Sequence, residues 1–245
     1  MSIIQLGLID TTRALDPDLV AATAAALNIQ VMRDLPQFWN IQATVRHVAD
    51  PTRVPAGVWP VRLVPALPAG AGGVHLDRNN QPCAFVLATP EIRDWSVAAS
   101  HEIIEMLIDP WGNRLQTARA IRIAGRSIAD ANGEFGYLVE GCDPCEANRY
   151  GYTIQGIPVS DFITPHYYDA MSTPGTRYSF AGHIKQPRRI LPGGYLAYVD
   201  FATAEWQRID LLGSTPRLSV LGQFRGKSIR TWTDRRAEQL AAHAQ

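Results

Sequence analysis

Apolar residues recur at Val20, Ala24, Leu27, Val31 and Leu35, the spacing of one helix face, behind Asp16-Pro17-Asp18. A capping acid, a first-turn proline and a second acid stand together there, so the pattern predicts an amphipathic helix that stops at Pro36. Ahead of it, residues 1–10 hold a short apolar run with no basic start and no small-residue cleavage site, which reads as a first strand and not as a signal peptide. Beyond it, Ile41, Ala43, Val45 and His47 alternate with Gln42, Thr44 and Arg46, a period of two that predicts a strand. Residues 58–67 predict a second extended segment, broken by prolines toward its ends. Residues 74–76 and 83–88 flank Asp77-Arg78-Asn79-Asn80-Gln81, a hairpin loop.

The next segment behaves differently. Asp94 stands in a capping position before Trp95-Ser96-Val97-Ala98-Ala99-Ser100-His101-Glu102-Ile103-Ile104-Glu105-Met106-Leu107-Ile108, and Asp109-Pro110 ends the run. Its apolar residues point nearly all the way round, which predicts a buried helix that carries His101, Glu102 and Glu105 inside with it. After Asn113 come short β-prone runs at 120–123, 135–139, 152–154, 159–163, 184–191 and 195–201, punctuated by Gly, Pro and Asn. Residues 232–242 predict a short terminal helix, and no internal repeat is visible. The expected fold class is α+β. An N-terminal subdomain over 1–113 holds a mixed sheet, a backing helix and the site helix; a β-rich, partly irregular subdomain over 114–245 completes the site.

Composition narrows the partners. With 46% hydrophobic and 19% charged residues over 245 positions, the chain is a folded globular protein. Lys+Arg and Asp+Glu both number 23, so the formal charge is +0, and neither nucleic acid nor a membrane surface is an expected partner. No window approaches the ~18 apolar residues that span a bilayer. The 3 cysteines, Cys83, Cys142 and Cys145, leave one unpaired in any disulfide scheme, which fits a reducing compartment.

The buried helix then supplies the chemistry. Residues four apart share a helix face, so His101 and Glu105 project side by side, with Glu102 angled toward the same cleft. Burying an imidazole and two carboxylates without compensation costs several kcal/mol, and a divalent cation offsets that cost. In the arrangement His-Glu-x-x-His two histidines bind zinc and the Glu activates a water; here Glu105 stands in place of the second histidine. Glu140-Gly141-Cys142-Asp143-Pro144-Cys145-Glu146 gathers acids and thiols at a chain distance suited to closing the site. Glu140 and Asp143 are the candidates for the third ligand, one binding the ion and the other positioning His101. Against this stands the plain reading in which His101 and Glu105 are an ordinary intrahelical pair. Cys142 and Cys145 read as packed thiols flanking the acids, Asp109 as a turn residue, and His47 and His75 as structural strand residues. His166 is a loop histidine placed to donate to the oxyanion of a tetrahedral intermediate.

The run His101-Glu102-Ile103-Ile104-Glu105-Met106-Leu107-Ile108-Asp109-Pro110, with Glu140 to Glu146, Val159-Ser160-Asp161-Phe162-Ile163-Thr164-Pro165 and Leu191-Pro192-Gly193-Gly194-Tyr195, resembles a largely uncharacterised family of bacteriophage and prophage proteins. The resemblance covers most of the chain, and the helix motif with its downstream Glu-x-x-Asp is also similar to secreted bacterial zincin-like proteins. It implies a zincin-like fold and a metallopeptidase activity. On the residues' own reading zinc is the expected cofactor, held by His101, Glu105 and Glu140 or Asp143, with Glu102 and His166 catalytic and an extended peptide received at the edge strand near Phe85. Two departures stand out: a glutamate replaces the second histidine of the zincin motif, and Cys145 makes a Cys-x-x-Cys pair that is not a hallmark of the family. The competing expectation is a structural or assembly protein of a phage particle, with other phage structural proteins as partners, that uses an inactive zincin-like scaffold. A third is a binding module whose closed metal shell includes Cys142. The location expected is cytoplasmic or virion-associated.

Overall fold

Asp16 accepts a hydrogen bond from the Asp18 backbone N–H at 2.9 Å and, with Pro17 in the first turn, starts helix α1 (Pro17–Ile29). The computed structural model describes residues 3–67 and 70–224 of the chain. Pro36 does not stop the helical path. After Ile29 the backbone widens into a π-type turn at Gln30–Asp34 and tightens into a 3₁₀ turn at Leu35–Gln37, where a proline near the start costs no hydrogen bond. The wide turn buries Gln30, whose amide donates to the Ser160 carbonyl at 3.0 Å and whose oxygen accepts from the Ser100 hydroxyl at 2.7 Å. One side chain thus ties α1 to the site helix.

Five strands form the first sheet: β1 (Ile4–Asp10), β2 (Ala43–His47), β3 (Val58–Val64), β4 (Gly73–Arg78) and β5 (Gln81–Leu87), in the order β2-β1-β3-β5-β4. All neighbours are parallel except β4, which runs antiparallel to β5 at the edge. β1 explains its own interior place: Leu6, Gly7, Leu8 and Ile9 are all buried, the unbroken apolar run that a strand covered on both faces requires. Asn79 and Asn80 both take positive φ, 52° and 60°, and make the two-residue turn between β4 and β5. The residues expected at the sheet edge, 83–88, are interior instead. Cys83, Ala84 and Val86 are buried because β5 has β3 on one side and β4 on the other, so the edge belongs to β4.

Helix α2 (Trp95–Ile108) packs across β4 and β5. Asp94 does not cap it through its side chain, which accepts from the Asn148 amide at 3.1 Å instead. Asp109 closes the other end, its carboxylate taking the backbone N–H groups of Asn113 and Arg114 at 3.0 and 2.9 Å.

The second sheet is antiparallel throughout, with order β12-β11-β10-β7-β6: β6 (Leu115–Ala124), β7 (Ser127–Leu138), β10 (Tyr195–Asp200), β11 (Glu205–Asp210) and β12 (Arg217–Gln223). A short hairpin, β8 (Tyr152–Ile154) and β9 (Ile157–Val159), stands apart. Residues 184–191, expected to be extended, form no strand; their backbone bonds to the Tyr167 and Pro144 carbonyls through Arg188 and Leu191, and the fully buried Arg188 guanidinium reaches the carboxylate of Asp130. The expected terminal helix at 232–242 lies outside the described residues. The first sheet's strands all precede residue 113 and the second sheet's all follow residue 114, yet one apolar cluster joins α1, the first sheet, α2 and the inner face of the second. The structure is mixed α/β, mostly strands. Among the described residues no helix is long and apolar enough to cross a membrane.

Candidate metal centre

Helix α2 is buried on nearly every side, with Ala99, Ile103, Ile104 and Met106 fully covered, so the polar face it does carry must be satisfied from within. Three elements converge on that face. The helix supplies His101, Glu102 and Glu105; edge strand β4 lays His75 across them; and the turn after β7 brings Glu140, Cys142, Asp143 and Glu146.

Glu105 organises the convergence. Its Oε1 accepts the backbone N–H groups of Cys142 and Asp143 at 3.0 and 3.2 Å, which clamps the turn to the helix. Its Oε2 faces the other way, 3.1 Å from His101 Nε2 and 3.6 Å from His75 Nδ1. His101 Nε2 also lies 3.3 Å from Asp143 Oδ1, and the His75 ring lies 3.2 Å from Glu102 Oε2 through Nδ1 and 3.6 Å from Glu140 Oε2 through Nε2. Two glycines make these approaches feasible. A Cβ on Gly73 would sit 2.5 Å from Glu102 Oε1 and 2.6 Å from its Cγ, so a side chain at that place on β4 would expel the carboxylate. A Cβ on Gly194 would sit 2.5 Å from the Asp143 carbonyl oxygen, so the turn before β10 can close on the acids only without one. That turn delivers Tyr195, whose phenol is pushed up by burial and by Asp143, Glu105 and Glu146, and whose ring lies under the Arg208 guanidinium at 4.8 Å.

Electrostatics reflect the crowding. Burial opposes protonation of His101, yet Glu105, Asp143 and Glu102 hold its pKa well above the ordinary imidazole value. Burial pushes Glu105 up, but His101, His75 and the Cys142 N–H outweigh it and bring the carboxyl down to about 2. Asp143 is driven well above the usual carboxylate range by burial and by Glu105, and Glu146 reaches about 7, chiefly from burial. The Cys142 and Cys145 thiols are buried, unbridged and pushed up by the same low dielectric.

The residues present fit a divalent cation. Four ligands set tetrahedrally about an ion at about 2.1 Å stand about 3.4 Å apart, and the imidazole–carboxylate separations here run from 3.1 to 3.6 Å. Three buried or half-buried trios place ligand atoms within 4.8 Å of one another: His101, Glu105 and Cys142; His101, Asp143 and Glu146; and His75, Glu102 and Glu105. Asp143 Oδ1 supplies a further sign, since it is buried and turned toward His101 Nε2 at 3.3 Å.

Of the residues expected from the sequence, His101, Glu102, Glu105 and Asp143 come together. Glu140 also arrives, but its partner is His75 and not His101. His166 does not join them: its exposed side chain, on a 3₁₀ turn that buries Tyr167 and Tyr168, pairs through Nδ1 with Asp169 at 2.9 Å. His75, expected to be structural, is in the cluster, together with Glu146. A lone histidine on an alternating strand carries no spacing signal. The one available hint was Gly72-Gly73 just before it, since paired glycines in a strand mark a close approach.

A pH dependence follows for the metal-free protein. The raised pKa values of His101, Asp143 and Glu146 each favour the fold below the unfolded value and lose that contribution as pH rises, for Glu146 through about 7. The depressed Glu105 works oppositely, its contribution present above the unfolded value and lost as pH falls toward about 2. The melting temperature in chelator should therefore fall between pH 5.5 and pH 8, and less so in Glu146→Gln; a profile flat or rising across that window would refute the assignment. No protein-family model, no curated protein and no solved structure matches this chain, so its chemistry rests on the residues just described.

Proposed function

We propose that this protein is a zinc-dependent hydrolase with a zincin-like site, most simply a peptidase of phage or prophage origin. The observation that carries the reading is the division of labour in Glu105, whose Oε1 is held by two backbone N–H groups while Oε2 is presented to His101, with Glu102 on the same helix face. His101 Nε2 and Glu105 Oε2 would hold the ion, completed from the turn that carries Cys142 and Asp143. The imidazole favours zinc over a hard cation, and such an ion would polarise a carbonyl and lower the pKa of a water there.

The rest of the work falls to the chain. Glu102 accepts the proton of the attacking water, and His75, 3.2 Å from its carboxylate, fixes its orientation. Edge strand β4 has no strand neighbour on its outer side among the described residues, so an extended peptide can add there, running past His75 toward Glu102. Tyr195, whose phenol feels the charges of Asp143, Glu105 and Glu146, would donate its hydroxyl proton to a developing oxyanion, the role expected of His166. A carboxylate in place of a second imidazole leaves the ion less electrophilic, so turnover is slow or narrowly specific. The phage provenance rests on the resemblance of the motif runs.

The test is metal analysis of protein purified from zinc-supplemented cells. About one equivalent or more per chain is expected, and less than about a tenth would remove the site.

A further inference from the structure

Glu105 splits the cluster into two halves. On one side of its Oε2 stands His101 with Asp143 and Glu146; on the other stands His75 with Glu102. No trio among the described residues holds both imidazoles. Ligands of a single ion at about 2.1 Å are at most about 4.2 Å apart, when they lie on opposite sides of it. An ion held by His101 therefore leaves a second group of comparable compactness, also buried, with its own imidazole and its own carboxylate.

The His75 half has the form of a cation site by more than proximity. Its Nδ1 faces two carboxylate oxygens, Glu102 Oε2 at 3.2 Å and Glu105 Oε2 at 3.6 Å, while its Nε2 faces a third carboxylate, Glu140, at 3.6 Å. A metal-binding histidine is commonly backed in this way, one ring nitrogen donating to a carboxylate so that the other is left bare for the ion. The Glu102 end is fixed as well, because only a glycine at position 73 leaves room for it against β4.

We propose that a second divalent cation binds between His75 Nδ1, Glu102 and Glu105, and that Glu105 is shared by the two ions. The inference builds on the ion at His101 and changes one role: in the two-ion form Glu102 is a ligand and no longer takes up a proton. The one-ion and two-ion forms then differ in their base, and metal load governs which chemistry the centre performs.

Equilibrium dialysis of the full chain against zinc, followed by metal quantification, tests it. The wild type is expected to bind two equivalents, and His75→Ala and His101→Ala one each, as should the milder His75→Asn. One equivalent in the wild type that His75→Ala leaves unchanged overturns the second site and spares the first. Two equivalents in a folded His75→Ala also overturn it, and none in the wild type overturns both. A measurement on the wild type alone guards against misfolded variants. Cobalt ions sharing a carboxylate are spin-coupled, so the paramagnetic resonance signal per cobalt should drop as the second equivalent is added, and an undiminished signal with two ions bound overturns the shared centre.

Discussion

Zinc added to the metal-stripped protein raises its melting temperature by about 8–16 °C once the free ion exceeds its Kd a thousandfold. Binding to the folded state alone contributes about 4 kcal/mol at that ratio, and a domain of this size gains about 2–4 °C per kcal/mol. Asp143 makes the prediction sharper. In the absence of an ion its carboxyl is buried beside Glu105, and burial and that charge outweigh the His101 imidazole 3.3 Å away, so it costs stability; with an ion it would become a ligand. Asp143→Asn should therefore melt above the wild type in chelator and lose most of the response to zinc. A structural acid gives the reverse order, with the variant melting below the wild type in chelator and zinc making no difference to either. Differential scanning fluorimetry across a zinc titration reads both proteins in one experiment.

The parts of this centre that lie on one helix were legible because helical periodicity is a local property. His101, Glu102 and Glu105 fall on one face at any fold that keeps α2 helical, and the burial of that face follows from Ile103, Ile104, Met106 and Leu107 around it. Asp143 was legible as one of a pair, since an acid-rich turn downstream must go somewhere. That Asp143 stands beside His101 while Glu140 stands beside His75 depends on the clamp between Glu105 and the Cys142 and Asp143 N–H groups, a contact across 37 residues that no spacing encodes. His75 was hidden for a related reason: whether a strand histidine faces a core or a cleft depends on what packs over it, and here α2 packs over β4. The edge assignment failed because a hairpin's two strands look alike until one of them finds a parallel partner, and β5 finds β3. β11 and β12 escaped notice because Glu205, Arg208 and Asp210 interrupt one with charge, while the other sits almost wholly exposed and shows no buried face to mark its period.

Glu102→Gln is the substitution that separates catalysis from scaffold. Gln has the same size as Glu, keeps an oxygen that can accept from His75 Nδ1 across the present 3.2 Å, and leaves His101, Glu105 and Asp143 untouched, so the fold and the first ion should survive. It cannot take up a proton at neutral pH. Removing a positioned general base costs roughly 10²–10⁴-fold in rate, so cleavage of an unstructured protein or a peptide library should fall by that factor while zinc content and melting temperature stay at wild-type values. If the protein is a phage assembly component on an inactive scaffold, both forms show no cleavage above a chelated control and both are incorporated into particles alike. If instead Glu102 serves chiefly to hold the second ion, the variant loses that equivalent while the first ion stays. Measuring rate, bound zinc and melting temperature on the same two proteins therefore assigns Glu102 as base, ligand or packing group, because each role moves a different one of the three.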